Sequence, residues 1–267
     1  MKKTRIFLVM AAFVALFTAT SCLDGYDIND FNVNYGVIKG NQSNYYIELD
    51  NQVHLSIVSN QVPWFQVRDG QRVIADYTIL EQVENRYPTT NGQIATSNSI
   101  VAQAPEYKVR LNYLYEVLTK TPVNLSFIST PARQDSIGHD KIDVLDAWVG
   151  GNYLNVHFRL FRSSPSIIHF INLVYDDQRS TQTDIYYTMR HKAYNDFQDF
   201  PALGRVSFDI RNRLFMYPVP EIKIHLTWNN YFGEEITRTI TYKAAIPYDA
   251  RKELVPPINT SQGNSIK

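Results

Sequence analysis

The chain has 267 residues, 26 of them basic and 26 acidic, so it is formally neutral. That balance leaves no basic stripe for a phosphate backbone, and nucleic acid is excluded as an expected partner. A single cysteine excludes an intrachain disulfide, and the length suits one large β domain or two of about 100 residues each.

Residues 1–21 carry the order of an export signal. Lys2, Lys3 and Arg5 give a basic start, Ile6 to Phe17 an apolar run, and Thr18-Ala19-Thr20-Ser21 small residues. The run is too short for a membrane span, which needs about twenty apolar residues. Cys22 follows directly and resembles the cysteine of a bacterial lipobox. That implies a lipid-modified first residue of the mature chain and a membrane partner reached through the anchor. A signal cut nearby with a free thiol is the alternative. Losing the signal leaves 23 basic against 26 acidic residues, a net charge of −3. Leu23 after the cysteine does not resemble an inner-membrane retention signal, so the outer membrane is the expected location.

Residues 22–44, rich in Asp, Asn and Gly, predict a flexible tether. Residues 45–130 predict an OB-like β-barrel. Strands are expected over Tyr45–Leu49, Val53–Val58, Gln71–Glu81, Tyr107–Leu118 and Leu125–Ile128. In the fourth of these, Tyr107, Val109, Leu111, Tyr113, Tyr115 and Val117 fall on one face by period-two alternation. Residues 131–140 lack apolar periodicity and predict a linker. Within it, Asp135-Ser136-Ile137 resembles an Asp-Ser/Thr-aliphatic acceptor for O-glycosylation, which marks Ser136. Residues 141–253 predict an antiparallel β-sandwich, with a hairpin turn at Gly150-Gly151-Asn152. Ile167–Tyr175, apolar on both faces, is expected to be central, and a short helix is expected around Met189–Phe197. Residues 254–267 predict a loose tail. The fold class is therefore all-β, a small OB-like barrel followed by an antiparallel sandwich.

The run Asp146-Ala147-Trp148-Val149-Gly150-Gly151-Asn152-Tyr153-Leu154-Asn155-Val156 resembles the signature hairpin of the NigD-like lipoproteins of Bacteroidota. His169–Val174, His191–Asp196 and Val206–Asp209 are similar to later landmarks of that family, and Gly70–Tyr77 to its early strand. The resemblance spans essentially the whole mature chain. It implies an OB-like barrel and a β-sandwich on a lipid anchor, with a suggested role in bacteriocin immunity. It carries no catalytic residues and no ligand, since one fold hosts many functions.

The residues themselves point away from catalysis. None of the six histidines stands at tight metal-ligand spacing, so no metal or other cofactor is expected; the nearest pair, His157 and His169, is placed to meet across a sheet. Asp176-Asp177 and Glu234-Glu235 read as solvated turns. No nucleophile elbow or phosphate-cradling loop occurs. Aromatic residues beside amides give the best binding hint: Trp148 and Tyr153 around the glycine turn, and Trp228 and Tyr231 near a hairpin tip. Core packing is the alternative for each. The expected function is a non-enzymatic envelope module that binds an unidentified protein, peptide or glycan. A structural accessory subunit and a hydrolase with an unrecognised site are the rival classes.

Overall fold

In the computed structural model, residues 32–83, 105–196, 200–214 and 219–243 are described. Five strands, β1 (Asn32–Asn41), β2 (Asn44–Leu49), β3 (His54–Asn60), β4 (Arg72–Val83) and β5 (Glu106–Glu116), close a barrel. Their order is β1-β2-β3-β5-β4, with β3 and β5 parallel and the other pairs antiparallel. This is the closed five-stranded topology of the OB fold. Inside lie Ile38, Ile47, Leu55, Val73, Ala75, Val109 and Leu111, all fully buried.

The second body is a two-sheet sandwich. One sheet runs β14-β13-β11-β10-β7 and the other β6-β12-β9-β8. The strands are β6 (Leu118–Lys120), β7 (Val123–Asn124), β8 (Asp143–Gly150), β9 (Tyr153–Arg162), β10 (Phe170–Tyr175), β11 (Asp184–Lys192), β12 (Phe200–Asp209), β13 (Glu221–Asn229) and β14 (Glu235–Lys243). Leu154, Val156, Phe158 and Leu160 of β9 alternate inward. They meet Ile185, Tyr187, Met189, Ile222, Ile224 and Leu226 from the facing sheet. Most pairs are antiparallel, but β6 with β12, β7 with β10 and β11 with β13 are parallel. The chain leaving the barrel thus donates an edge strand to each sheet before the rest of the sandwich is built.

Several expectations are corrected by tertiary pairing. The expected tether reached residue 44, but Asn32–Asn41 is β1, bonded to β2 on one side and β4 on the other. Its polar composition hid a strand whose Tyr35 and Ile38 are buried. Residues 22–31, including Cys22, and the expected tail lie outside the described residues. The barrel ends at Glu116, because β6 and β7 belong to the sandwich. Leu125–Ile128, expected as a strand, is a 3-10 turn whose Ser126 N–H is held by Asp177 at 3.2 Å. The expected linker folds as α1 (Pro131–Ile137): Thr130 caps it, Pro131 opens it, and Gly138 closes it at φ 85°. Those start and stop residues were legible; the missing apolar stripe masked them. Met189–Lys192 is the end of β11 rather than a helix, because it pairs with β10 along its length. β10 has only the two-residue β7 on its far side, so it lies close to a sheet edge.

A bulge decides one further feature. Asp76 of β4 pairs with Tyr113 of β5, but the next residue, Tyr77, pairs with Leu111, so Asn112 is skipped. Beyond it the alternation changes parity: Val109, Leu111 and Leu114 are buried, while Tyr113 turns outward.

Candidate functional site

Trp148 and Tyr153 do not face solvent. Trp148 is 6% exposed and packs edge-on against Tyr35 of the barrel at 5.3 Å and against His157 at 5.0 Å. With Ile74 and Val117 these rings form a small core between the two bodies. At its centre Arg72, 2% exposed, makes a two-pronged ion pair with Asp50 and donates to Asn155 Oδ1 at 2.9 Å. Its guanidinium lies 4.4 Å from the Tyr153 ring centroid and 5.1 Å from that of Tyr35. Ser207 completes the polar layer by donating to Asn155 Oδ1 at 2.6 Å. The glycine turn belongs to the same joint. Gly151 takes a φ of 56°, and a Cβ on Gly150 would overlap the Asp50 carboxylate. The turn thus admits a barrel carboxylate against the hairpin backbone.

The joint carries a pH dependence. Burial, followed by the Arg205 charge, pushes the His157 imidazole down to about 4, so it is neutral and accepts from the Tyr35 hydroxyl, 2.9 Å away at Nε2. The unfolded chain takes that proton near the ordinary value of 6.5. Between the two values the unfolded state binds more protons, so stability is full above the window and is lost as pH falls through it. Denaturant midpoints are therefore expected to drop between about pH 6.5 and 4, and less so in His157→Asn; a flat profile would contradict this account.

Trp228 is also core, inside the sandwich. Tyr231 is half-buried at the β13–β14 tip. Its hydroxyl accepts from the Phe161 N–H at 2.8 Å, and its ring meets Phe161 at 4.2 Å. Of the aromatic rings at that tip, Phe232 is the open one, 87% exposed. Ser136 is exposed on α1, where its hydroxyl donates to the Arg133 carbonyl at 2.8 Å. Asp176 and Glu234 accept hydrogen bonds within their own turns, whereas Asp177 accepts from Ser126 of the 3-10 turn.

The structure brings together a different set. A groove of about 780 Å³ runs beside the joint, lined by the β3–β4 loop, the end of β5 and the start of β6. Trp64, 71% exposed, and Tyr113, 54% exposed, both line it. Arg68 and Glu116 lie in the same groove, paired at 2.6 Å. The loop bearing Trp64 is pinned: Gln42 bonds the Phe65 carbonyl at 3.2 Å and the Val67 N–H at 2.8 Å, and Gly70 N–H donates to Ile38 at 2.8 Å. Sequence reasoning missed this set, because Trp64 sits in an aperiodic loop and Tyr113 was assigned to the buried face.

A family model described as NigD-like C-terminal beta sandwich domain matches residues 125–242. The second domain belongs to the NigD-like family. Solved structures share the fold. A protein of unknown function from Bacteroides vulgatus ATCC 8482 is 24% identical, with a TM-score of 0.62 over 86% of this chain and 96% of its own. A NigD-like immunity protein from Bacteroides caccae ATCC 43185 is 18% identical, with a TM-score of 0.56 over 80% and 97%. A candidate lipoprotein from Bacteroides fragilis NCTC 9343 is 13% identical, with a TM-score of 0.53 over 81% and 100%. No curated protein matches the chain. Every lining residue of the groove, from Trp64 to Thr119, lies outside the matched range.

The NigD-like domain holds two histidine clusters. His157 and His169 do not meet, since they serve opposite sheets. Instead His169 Nδ1 lies 2.9 Å from His191 Nε2, and its Nε2 lies 3.0 Å from Asp196 Oδ2. His191 Nδ1 donates to the Lys141 carbonyl at 2.8 Å, so its Nε2 is the acceptor for His169. A proton must then sit between His169 and Asp196. Burial pushes the His191 imidazole down, against the Lys141 bond. Burial opposes ionisation of Asp196, yet bonds from His169, Ser163 and Ser164 hold its carboxyl below the usual range. The chain fixes the turn after β11, where Tyr194 and Asn195 both take positive φ.

The second cluster resembles a nucleophile, base and acid in order: His225 lies 3.0 Å from Thr239 Oγ1 and 3.0 Å from Asp184 Oδ1. It spans three neighbouring strands on the outward face of the sheet. His225 and Thr239 are cross-strand partners, and the Tyr186 ring stacks on the imidazole at 4.4 Å. Thr239 is exposed on β14, the edge strand of its sheet, so its hydroxyl faces solvent rather than a water-excluded site of the kind that stabilises an oxyanion. Its chemistry is that of a cross-strand hydrogen-bonded ladder. Among the described residues, no three His, Cys, Asp or Glu side chains group as metal ligands would.

Proposed function

We propose that the protein is a cell-envelope lipoprotein, anchored through Cys22 at the outer membrane, that acts as a non-catalytic binding module. Its ligand face is the groove walled by the barrel and the start of the edge strand β6. The observation that carries this reading is the placement of two exposed rings, Trp64 and Tyr113, on a pinned loop and a bulged strand that line one groove. Exposed aromatic rings in a concavity between domains suit ligand capture. The titratable groups most displaced by burial, Tyr35, Tyr187 and His157, are committed to the joint or the core and do not line the groove.

The specific version is interception of a bacteriocin. It draws on the shared fold with the Bacteroides caccae protein named as a NigD-like immunity protein. A deletion strain is then expected to be more sensitive to toxin from related cells, and the Trp64→Ala protein should fail to restore resistance. Unchanged sensitivity across a toxin panel would remove the immunity role. A structural accessory role is favoured by one feature, the exposed Ile167, Ile168, Phe170 and Tyr194, the last two in ring contact at 5.6 Å. Crosslinking from Tyr194 to a fixed envelope partner would support that role instead.

A further inference from the structure

Building on the binding-module reading, we infer that the groove takes a neutral carbohydrate, stacked on Trp64 and Tyr113 and hydrogen-bonded through Arg68 and Glu116. A pyranose presents an apolar face of C–H groups and an edge of vicinal hydroxyls, and recognition needs a ring for the first and paired planar polar groups for the second. The groove supplies both. Its rings are exposed, so a sugar can cover apolar surface that otherwise faces water.

Arg68 and Glu116 form an open ion pair at 2.6 Å, with both side chains more than half exposed. Such a pair contributes little to folding, so its guanidinium can turn to donate to one hydroxyl while the carboxylate accepts from the next. Three other polar side chains of the lining are already engaged. Asp69 accepts from the Gly40 N–H at 2.9 Å, Gln71 from the Arg68 N–H at 3.1 Å, and Arg72 is matched by Asp50.

Charge and shape narrow the class. Both arginines of the lining are matched by carboxylates, Arg68 by Glu116 and Arg72 by Asp50, which disfavours a phosphate or other polyanion. The groove is open rather than enclosed and mixes polar with apolar walls, which disfavours an acyl chain. Its volume of about 780 Å³ accommodates a short oligosaccharide. The pinned loop means that little ordering entropy is lost when Trp64 is engaged.

The test is titration of the full mature chain with short neutral oligosaccharides of glucose, xylose, mannose, galactose and N-acetylglucosamine, read by calorimetry and tryptophan fluorescence. Saturable binding is expected for at least one, weakened about tenfold in Trp64→Ala and again in Glu116→Gln. The melting temperature of both variants should match the parent, since neither side chain is buried. Binding that ignores Trp64→Ala, or none across the panel, overturns the carbohydrate assignment. A parallel arm with a random peptide library separates the two readings. Trp64-dependent peptide capture with no sugar binding retains a binding groove but refutes its ligand class. Silence in both arms removes the groove as the ligand face.

Discussion

Arg72→Ala is expected to lower stability by about 3–5 kcal/mol, because it strands the Asp50 carboxylate in a buried joint. The same change should divide unfolding into two transitions. Arg72 begins a barrel strand, and its bonds run to Asp50 of the barrel and to Asn155 and Ser207 of the sandwich, so it couples the bodies directly. Each body keeps its own core when that link is lost. Differential scanning calorimetry checks both parts: the parent should melt as one cooperative unit and the variant as two. The paired change Arg72→Met with Asp50→Leu is the control. Removing both charges leaves no uncompensated ion, so it should recover much of the loss. If Arg72→Ala melts once, near the parental temperature, the joint is held by its rings alone.

His169→Ala is the second large effect, expected at about 3 kcal/mol. The imidazole sits in a buried chain, and its loss leaves the His191 Nε2 and the Asp196 carboxylate facing each other's empty side. The consequence should be local as well as global. Asp196 accepts from the Ser163 N–H at 2.9 Å and the Ser164 N–H at 3.4 Å, tying the end of β9 to the turn after β11. That turn holds two non-glycine residues at positive φ, a conformation that persists only when its surroundings enforce it. Hydrogen exchange at Ser163 and Ser164 should quicken in His169→Ala more than at strands of the barrel. Asp196→Asn is the milder companion, since its amide can donate to His169 without the shared proton. Equal damage from both changes would mean that the proton between His169 and Asp196 is not what holds the turn.

Much of the architecture was legible in the chain. Period-two alternation in Tyr153–Phe161, Ile222–Trp228 and Ile236–Tyr242 marks sandwich strands in the sequence itself, because half-buried strands carry a period of two whatever they pair with. The hairpin at Gly150-Gly151 followed from turn chemistry. The β1 strand did not, since its asparagines and glycines describe a stalk until β2 and β4 bond it on both sides.

The candidate site was almost wholly illegible. Trp148 and Tyr153 attract attention as aromatic residues beside a glycine turn, but a chain read one residue at a time cannot reveal that Asp50, Tyr35 and Arg72 arrive from another body to cover them. Tyr113 was misplaced for a local reason with a distant cause. The bulge at Asn112 arises from the register against β4, and a shift of one residue moves every later side chain to the opposite face. What the sequence determined alone was therefore most of the sandwich strands, through periodicity, and the glycine hairpin, through turn residues. The tertiary structure decided which aromatic rings are core and which meet solvent, because burial is set by the partner that packs against a face and not by the residue that occupies it.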